Sequence, residues 1–275
     1  IICNFKNGCN QSHSTINKVF KMHKDIKLIK EYISRKSTYA IIPITWNEGE
    51  KIAKQIDRMQ SIIDYADIII ADNASDDGSL ADEFLQSKNI RAKVISSARG
   101  YGNALRPAIS YALDQGYEGI ITIDGNNKDG PEALIEMTEY LKQGYGFIQA
   151  SRFMKDGTQK NMPLDRLLAV KLFMIPLFTI ASGFAYTDPS NGFKAYSREF
   201  LLDTRVSPLR EIFHDYRFQY FASTQAPRLG YKVIEVPASR VYPDQGKTPT
   251  KIRGIWARLT IMWQMLEAAL GRYNV

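Results

Sequence analysis

Short apolar runs alternate with amphipathic segments from residue 39 to residue 150. Each run has the length of a strand, and each amphipathic segment has the apolar spacing of a helix. This alternation predicts an α/β fold with a mostly parallel central sheet flanked by helices. The predicted strands are 39–44, 67–71, 92–96, 119–123 and 146–150, and the predicted helices are 48–63, 78–87, 101–115 and 131–142.

The two ends of the chain have different patterns. Residues 1–38 are polar and rich in lysine, with helical spacing of apolar residues from Ile26 to Ile33. We expect an N-terminal extension that packs on a main domain at 39–249. Residues 250–275 predict a basic amphipathic C-terminal helix, which suits a solvated helix face or a membrane surface.

Residues 164–186 form the most apolar part of the chain. Lys171 and Pro176 interrupt this run, which makes it a poor transmembrane span. Two interpretations remain. The segment is a pair of buried helices, or its helices lie at a membrane interface with Arg166 and Lys171 facing the headgroups.

Composition narrows the classes of partner. The formal net charge of +7 favours an anionic partner, such as a nucleotide, a phospholipid surface or nucleic acid. The sequence has neither an arginine-rich tract nor zinc-finger spacing, so nucleic acid is not expected. Cys3 and Cys9 are the only cysteines, and no signal-peptide pattern is visible. We therefore expect a cytoplasmic protein, or one at the inner face of the cytoplasmic membrane.

The loop after the fourth predicted strand carries the strongest chemical signal. The apolar run ends at Asp124, and Gly125 and Asn126 follow. Open α/β sheets bind ligands at the carboxyl ends of their strands. Oxygen atoms of Asp124 and Asn126 are suitable ligands for Mg²⁺ or Mn²⁺, which usually bind substrate phosphates as well. A turn in which both residues make only local hydrogen bonds explains the same residues.

Polar clusters also follow the first three predicted strands, at the same edge of the sheet. A carboxylate such as Asp72 can accept hydrogen bonds from a base or a ribose, whereas Asp76 and Asp77 are expected to cap the next helix. The candidate ligand-binding residues are Pro43, Asn47 and Glu48, then Asp72 and Asn73, then Arg99, Gly100 and Asn103.

The third of these clusters contains two glycines, Gly100 and Gly102. It lacks the third glycine of a dinucleotide fingerprint and follows the third strand rather than the first. The glycines indicate either close approach of a ligand, with Arg99 available to a phosphate, or a tight turn without a ligand.

Taken together, these motifs resemble family 2 glycosyltransferases with the GT-A fold. Motifs in the second half are similar to those of the polyprenyl-phosphate sugar transferases in that family. The resemblance covers roughly residues 39–253 and keeps the order of the motifs. The motifs are Pro43 to Glu48, Asp72 to Ser79, the glycine-rich turn at Gly100, the loop at Asp124, ASRF at 150–153, DPSNGFKAYSR at 188–198 and GYKVIEVP at 230–237.

The resemblance implies roles for the residues at the sheet edge. Asp72 would bind the nucleotide base, and Asp124 would bind the metal and the donor diphosphate. Asn126 stands where the family has the second aspartate of its DxD motif, which removes one negative charge and one metal ligand. Lys128 stands where such enzymes often have a neutral residue, and its ammonium either neutralises the diphosphate or is solvated.

The motifs of the second half imply contacts with phosphate groups. Arg152 matches an arginine that faces phosphates in the family, although a structural salt bridge is the alternative. Asp188 would orient or deprotonate an acceptor, or it caps the following turn. Lys194 replaces an arginine, so a point charge would replace a bidentate contact.

Two further segments complete the predicted site. Asp215 is a candidate general base, and its neighbour His214 is expected on the same helix but facing another direction, so that the two form no relay. Residues 242–251 resemble the basic loop that closes over the diphosphate or the acceptor phosphate. Its expected cations are Lys247, Lys251 and Arg253.

The predicted function is inverting, metal-assisted transfer of a sugar from a nucleotide-diphosphate sugar to an acceptor. We expect a lipid-linked acceptor, a polyprenyl phosphate or a lipid-linked glycan, with peripheral membrane contact. A lipid phosphate needs no general base, whereas a hydroxyl acceptor does. Three alternatives stay open: a soluble hydroxyl acceptor, a sugar nucleotidyltransferase, and a catalytically silent module that binds nucleotide sugars. The second normally has a glycine-rich loop after the first strand, which this chain lacks.

Overall fold

The computed structural model describes residues 25–60, 64–243 and 254–275. The predicted N-terminal extension lies largely outside these ranges, as do Lys247, Lys251 and Arg253 of the basic loop. The strands are β1 (Ile26–Glu31), β2 (Tyr39–Thr45), β3 (Asp67–Asp72), β4 (Ala92–Ser96), β5 (Gly119–Asp124), β6 (Phe147–Ser151), β7 (Thr158–Lys160), β8 (Lys194–Ser197), β9 (Val233–Pro237) and β10 (Ser239–Val241).

Helices connect most of these strands. A π-helical segment (Val170–Met174) joins the helix that ends at Ala169 to the helix that begins at Ile175. A short 3₁₀ turn (Glu211–Phe213) precedes the helix that begins at Arg217. The α-helices are α1 (Glu50–Met59), α2 (Asp82–Ser87), α3 (Tyr101–Asp114), α4 (Ala133–Lys142), α5 (Leu164–Ala169), α6 (Ile175–Ser182), α7 (Arg198–Leu202), α8 (Arg217–Arg228) and α9 (Gly254–Ala269).

The central sheet has eight strands in the order β1-β4-β3-β2-β5-β8-β6-β9. Strand β1 runs antiparallel to β4, and β8 runs antiparallel to both β5 and β6. The other pairs in this sheet are parallel, and β7 and β10 form a second, two-stranded sheet. The predicted α/β class is therefore confirmed, and β2 to β6 are the five predicted strands.

Continuous burial explains why the central strands read as unbroken apolar runs. Strands flanked by other strands and covered on both faces have no solvent-facing side. Successive residues of β2 alternate between two cores: Ile42 packs on the side of α3 and α8, and Ile41 on the side of α1 and α4. Because β2 pairs in parallel with both β3 and β5, the carboxyl ends of these three strands lie together at one edge.

The segment from Ile26 to Glu31 is a strand, so the helix expected there is wrong. It pairs with β4 along the sheet edge, with Ile29 opposite Val94. Arg91 and Glu31 lie 3.0 Å apart beside this pairing. Backbone hydrogen bonds to a distant strand outweigh the weak helical spacing of three isoleucines, and the sheet begins before residue 39.

The apolar segment is one continuous run of helix from Leu164 to Ser182, and it is not buried as a pair of core helices. Its side chains at Leu172 and Ile180 are 73% and 84% exposed. The amide of Ile175 donates to the carbonyl of Val170 five residues earlier, and this π-type turn lies just ahead of Pro176, which has no amide hydrogen. No helix in the described ranges is long and apolar enough to cross a membrane.

The C-terminal helix α9 packs on α8 and α6. Trp256 is 79% exposed and Trp263 is 54% exposed, so this helix presents large apolar side chains to solvent. Arg258 is the single basic residue between Gly254 and Ala269, so the described helix is less basic than the sequence predicted. Arg258 of α9 forms an ion pair with Asp165 of α5 at 2.5 Å. The exposed apolar side chains of the Leu164–Ser182 run and of α9 therefore lie on helices that contact each other.

Candidate active site

Two aspartates flank the end of β2, as the sequence predicted. In register, Asp72 lies opposite Thr45 on one side, and Asp124 lies opposite Ile44 on the other. Asp72 is 3% exposed and accepts the backbone amide of Ser75 at 2.9 Å. Burial raises the pKa of the Asp72 carboxyl. A buried acceptor at this point is placed to meet a base or a ribose.

The loops after β2 and β3 are tied to each other. The amide group of Asn47 donates to Asp76 at 2.6 Å and accepts the Asp76 backbone amide at 2.9 Å. Asp77 accepts the backbone amide of Gly49 at 2.9 Å. Because α2 begins only at Asp82, the expected capping role of Asp76 and Asp77 is wrong. These contacts engage Asn47, whose role in donor binding stays a prediction.

Arg99 lies at the outer side of the same edge. Its guanidinium stacks 4.8 Å from the Trp46 ring centroid and lies 3.4 Å from Asp76. Asn73 accepts the backbone amide of Gly100 at 2.9 Å, which joins the third loop to the second. Arg99 is largely exposed, so a contact with a donor phosphate stays a prediction for it. The same holds for Pro43, Glu48, Gly100 and Asn103.

The two glycines of the third loop make room for the chain's own backbone. A Cβ on Gly102 would lie 1.8 Å from the carbonyl oxygen of Phe213. A Cβ on Gly100, whose φ is +142°, would lie 2.6 Å from the carbonyl oxygen of His214. The close approach that the sequence indicated is therefore made by the segment ahead of α8 rather than by a ligand.

Asp124 lies in an ion-pair cluster that the sequence did not predict. Its Oδ2 accepts from Arg240 at 2.9 Å and from the side-chain amide of Asn126 at 3.2 Å. Arg240 also pairs with Asp129, which is fully buried. Burial favours the neutral acid, but Arg240 and Lys128 outweigh it and hold the pKa of Asp124 below its usual value.

The metal site expected from Asp124 and Asn126 stays a prediction, and the Asn126 side chain is hydrogen-bonded within its own loop. The Asn126 amide nitrogen is turned toward Asp124, and its oxygen accepts the backbone amide of Lys128 at 3.2 Å. Within the described ranges, no group of three or more His, Cys, Asp or Glu side chains is arranged to hold a metal. The second oxygen of Asp124, Oδ1, faces Gly192, where an added Cβ would lie 3.7 Å away. In the same loop, Asp129 Oδ1 is buried and has no hydrogen-bond partner among the described residues. Gly125 is packed against Thr45.

Arg152 and Asp188 form a bidentate, buried ion pair. Arg152 Nε lies 2.6 Å from one Asp188 oxygen and Nη2 lies 2.8 Å from the other. Burial favours the neutral acid, but Arg152 outweighs it and lowers the pKa of Asp188. Ser190 donates to the same carboxylate at 2.9 Å. Of the two expectations for Arg152, the structure therefore shows the structural salt bridge. Both oxygens of Asp188 accept hydrogen bonds within the protein, so neither is free to deprotonate an acceptor.

Lys194 does not reach the surface of the site. It is fully buried, and its ammonium contacts Gln149, the Pro189 carbonyl at 3.2 Å and Ser223 at 3.1 Å. Burial lowers the pKa of Lys194 to about 7. The phosphate contact predicted for this residue is not available to it in this arrangement.

Asp215 lies between the 3₁₀ turn and α8 rather than within a helix. His214 Nε2 is 3.5 Å from its carboxylate, so the expectation that the two side chains face apart is wrong. The Asp215 carboxylate also accepts from Gln264 of α9 at 2.8 Å and pairs with Arg217. These contacts hold the Asp215 carboxylate in place, so it is less suited to act as a general base.

Tyr242 lies at the centre of the site, a role that the sequence did not indicate. Its hydroxyl accepts from Arg152 at 3.1 Å and from Arg166 at 3.3 Å. Its ring centroid is 5.6 Å from the Arg240 guanidinium and 5.7 Å from the Lys128 ammonium. Burial favours the neutral phenol, but the surrounding arginines outweigh it and lower the pKa of Tyr242. Tyr242 is the first residue of the segment that resembles the basic loop, and that position was the sequence signal for it.

Tyr101 is a second residue that the sequence did not single out. Its ring stacks on Tyr216 with centroids 4.9 Å apart. Burial, together with the nearby charge of Asp124, raises the pKa of Tyr101. Its buried hydroxyl has no hydrogen-bond partner among the described residues. The hydroxyl lies near Gly192, on the side of Asp124 Oδ1, and is available to a bound group there.

The family model for glycosyl transferase family 2 matches residues 40–204, and the chain belongs to this family. It is a glycosyltransferase with the GT-A fold that binds nucleotide sugars. Polyprenol monophosphomannose synthase of Mycolicibacterium smegmatis is 29% identical over 204 residues, which are 73% of this chain and 76% of that protein. Undecaprenyl-phosphate mannosyltransferase of Micrococcus luteus is 25% identical over 245 residues, which are 84% of this chain and 98% of that protein.

Solved structures show the same fold at lower sequence identity. Glucosyl-3-phosphoglycerate synthase of Mycobacterium tuberculosis with phosphoglyceric acid has a TM-score of 0.59 at 14% identity, covering 98% of this chain and 85% of that one. A complex of that enzyme with Mn²⁺, uridine diphosphate and phosphoglyceric acid has a TM-score of 0.57 at 14% identity, covering 98% and 84%. Mannosyl-3-phosphoglycerate synthase of Rubrobacter xylanophilus has a TM-score of 0.56 at 15% identity, covering 85% and 73%.

Proposed function

We propose that this enzyme transfers a sugar, with inversion, from a nucleotide-diphosphate sugar to a polyprenyl phosphate. The observation that carries the proposal is the state of the two candidate bases. Asp188 is locked to Arg152, and Asp215 is held by Arg217 and Gln264. A hydroxyl acceptor needs a base, whereas an ionised lipid phosphate is already a nucleophile. The site therefore fits a phosphate acceptor better than a hydroxyl acceptor.

The donor is proposed to bind at the edge where β2, β3 and β5 end. Asp72 lies there for the base or the ribose, and Arg99 over Trp46 lies at the outer side for a phosphate. The diphosphate would lie toward Asp124 and Tyr242, where cationic side chains converge. Positive groups fixed at the leaving group stabilise the charge that develops on it during transfer.

The chemical step follows from these positions. An oxygen of the acceptor phosphate attacks the anomeric carbon as the bond to the diphosphate oxygen breaks on the opposite face. The electron pair of that bond leaves with the nucleoside diphosphate, and no proton has to move. Lys128, Arg166 and Arg240 surround Tyr242 and would oppose the charge on the leaving group. Use of Mg²⁺ or Mn²⁺ stays a prediction, with Asp124 as a carboxylate ligand.

An apolar helical surface supports a lipid acceptor and peripheral membrane contact. We define it by the exposed side chains of α5, the π segment and α9: Leu164, Leu168, Leu172, Trp256, Leu259 and Trp263. Contiguous exposed apolar side chains on neighbouring helices are typical of a membrane or partner contact. Arg166 extends from the same α5 to the Tyr242 hydroxyl, which links this surface to the cationic site. The names of the two relatives given above likewise contain polyprenol and undecaprenyl phosphate. We therefore propose a cytoplasmic protein that contacts the inner face of the cytoplasmic membrane.

The test is transfer by the full chain from UDP-, GDP-, CMP- and dTDP-sugars to undecaprenyl phosphate in vesicles, followed by mass spectrometry of the lipid fraction. We expect one nucleotide class to give a glycosyl undecaprenyl phosphate, and Asp124→Asn to abolish it. Transfer to a soluble hydroxyl acceptor alone, with loss in Asp215→Asn, would instead establish the alternative acceptor. Binding of a nucleotide sugar with no transfer to either acceptor would indicate the silent module.

A further inference from the structure

We propose that Tyr101 and Gln219 form a subsite beside Asp124 that binds a hydroxyl group of the donor sugar. The inference rests on the proposed donor site described above and concerns the end of that site where the sugar lies. Three elements supply the side chains: Tyr101 begins α3, Asp124 ends β5, and Gln219 lies in the first turn of α8.

The three side chains converge on Gly192. A Cβ added there would lie 3.2 Å from Gln219 Oε1, 3.6 Å from the Tyr101 hydroxyl oxygen and 3.7 Å from Asp124 Oδ1. These are the nearest atoms to that point outside residues 191–193, and all of them are oxygens. Because Gly192 has no side chain, a small polar group of a ligand can lie among these oxygens, close to hydrogen-bonding distance.

Contacts within the protein hold this arrangement in place. Thr122 of β5 donates its hydroxyl to the Gly192 carbonyl at 3.0 Å. The Tyr101 ring stacks on Tyr216, whose carbonyl accepts the Gln219 backbone amide at 3.1 Å. Groups that are already held lose little freedom when a ligand binds, so the subsite is preorganised.

The Tyr101 hydroxyl points into this group of oxygens. It is buried, and in the described part of the chain it has no hydrogen-bond partner. Buried polar groups are nearly always hydrogen-bonded, so an unpaired one calls for an explanation. A ligand hydroxyl beside Gly192 would supply the missing hydrogen bond.

The chemistry of the subsite favours a sugar hydroxyl. The Asp124 carboxylate and the Gln219 amide oxygen accept hydrogen bonds. Burial, together with the charge of Asp124, raises the pKa of Tyr101, so its phenol keeps a proton to donate. A hydroxyl both donates and accepts, and it therefore suits this set of groups. The Asp124 carboxylate would repel a phosphate, and a neutral phenol is not among the oxygen ligands that Mg²⁺ or Mn²⁺ prefers.

The position of the subsite assigns the hydroxyl to the sugar. Oδ2 of Asp124 faces Arg240, and Oδ1 faces Gly192. The diphosphate is proposed to lie on the Arg240 side, so the sugar attached to it would extend toward Gly192. A nucleoside diphosphate without a sugar would not reach the subsite.

The test measures binding to the full chain by isothermal titration calorimetry in the presence of Mn²⁺. The ligands are UDP-glucose, GDP-mannose and dTDP-glucose, and each is matched by UDP, GDP or dTDP, which lack the sugar. Tyr101→Phe removes the hydroxyl and keeps the ring. For the nucleotide class that binds, we expect this variant to weaken binding of the nucleotide sugar by at least about fivefold, because one hydrogen bond is lost. The Kd of the nucleoside diphosphate should change by less than about twofold.

Two further variants and a control accompany Tyr101→Phe. Gly192→Ala places a methyl group among the three oxygens, and Gln219→Leu removes the amide. We expect each to weaken nucleotide-sugar binding by at least about fivefold and to spare the nucleoside diphosphate. Tyr140→Phe is the matched control and should change neither Kd, since Tyr140 pairs with Tyr145 at 5.0 Å on the other side of the sheet.

Monodeoxy analogues of the nucleotide sugar identify the hydroxyl that is bound. Removing that hydroxyl from the sugar and removing the Tyr101 hydroxyl from the protein should not be additive. We therefore expect one analogue to bind the wild type and Tyr101→Phe with Kd values within about twofold of each other.

Nucleotide-sugar binding that is unchanged in Tyr101→Phe and in Gly192→Ala would overturn the subsite and leave the proposed function intact. Equal weakening of a nucleotide sugar and of its nucleoside diphosphate would also overturn it, because these residues would then serve the diphosphate or an ion. Absence of binding by every ligand would overturn the donor site on which the inference rests.

Discussion

At the scale of single residues, the pairing of charges determines which candidate side chains can meet a ligand. Arg152 and Asp188 satisfy one another in the interior, and Lys194 is enclosed by three oxygen acceptors. The sequence identified all three as charged residues within functional motifs. It could not show that Arg152 and Asp188 pair with each other, or that Lys194 contacts a neighbouring strand. Those contacts join segments far apart in the chain. Arg240 was missed for the same reason, since it meets Asp124 across more than a hundred residues.

The Arg152–Asp188 pair is expected to contribute to stability. Arg152→Met leaves a buried carboxylate without its partner, so we expect the free energy of unfolding to fall by about 3–5 kcal/mol. The double variant Arg152→Met with Asp188→Asn should recover part of that loss, because no charge is then left unpaired. Urea denaturation followed by circular dichroism measures both. A loss below about 1 kcal/mol in the single variant would indicate that the pair is open to solvent and available to a ligand.

The buried lysine predicts a pH dependence of stability. The unfolded chain holds the Lys194 proton up to the ordinary pKa of 10.5, whereas the folded chain releases it near 7. Between these values the unfolded state binds more protons, so stability should rise with pH relative to a variant that lacks the group. We expect unfolding free energies of wild type and Lys194→Met, measured from pH 7 to 10, to diverge in that direction. If the unfolding free energies of the two proteins changed in parallel with pH, the Lys194 ammonium would stay charged among its three hydrogen-bond acceptors.

At the scale of elements, the sequence located the central strands and most of the helices, because burial on both faces leaves an unbroken apolar run. It failed where an element is defined by a distant partner. Strand β1 exists through its hydrogen bonds to β4, and α2 is shorter than predicted because Asp76 and Asp77 hold the preceding loop to Asn47 and Gly49. The sequence also left the orientation of the apolar segment open, since its pattern suits both burial and a membrane interface.

The apolar helical surface predicts vesicle binding. Trp256→Ser combined with Trp263→Ser removes two large exposed side chains from α9. Burying one such side chain is worth about 1.5–3 kcal/mol, so we expect at least a tenfold weaker partition onto anionic vesicles in a sedimentation assay. Ile135→Ser, at an exposed isoleucine of α4 on the other side of the sheet, is the control and should bind as wild type. Equal binding of all three proteins would show that this surface does not contact the membrane.

At the scale of the whole molecule, the site is assembled from most of the described chain. The donor edge comes from the first half, Tyr242 and Arg240 come from the segment after β9, and Gln264 of α9 reaches Asp215. The predicted division into an extension, a main domain and a terminal helix does not describe this arrangement well, because the first strand of the sheet lies within the expected extension.

The edge strand gives a prediction at this scale. A chain lacking residues 1–38 loses β1 and its pairing with β4, and also the contact of Asp82 with Tyr32 at 2.6 Å. We expect it to unfold at a lower urea concentration than a chain lacking residues 1–24, which retains β1. Both truncations are compared with the full chain by circular dichroism. Identical midpoints for the two would show that β1 contributes nothing to the stability of the sheet.

The sequence by itself determined the α/β class, the five central strands and the family, because these depend on local apolar patterns and on short motifs that are complete within a few residues. It also located the donor edge, since strand ends follow from strand bounds. Only the tertiary structure decided which charges are used internally, which glycines make room for backbone, and which apolar residues face outward. Those properties depend on contacts between segments distant in the chain, and a pattern read along one segment carries no information about its partner in space.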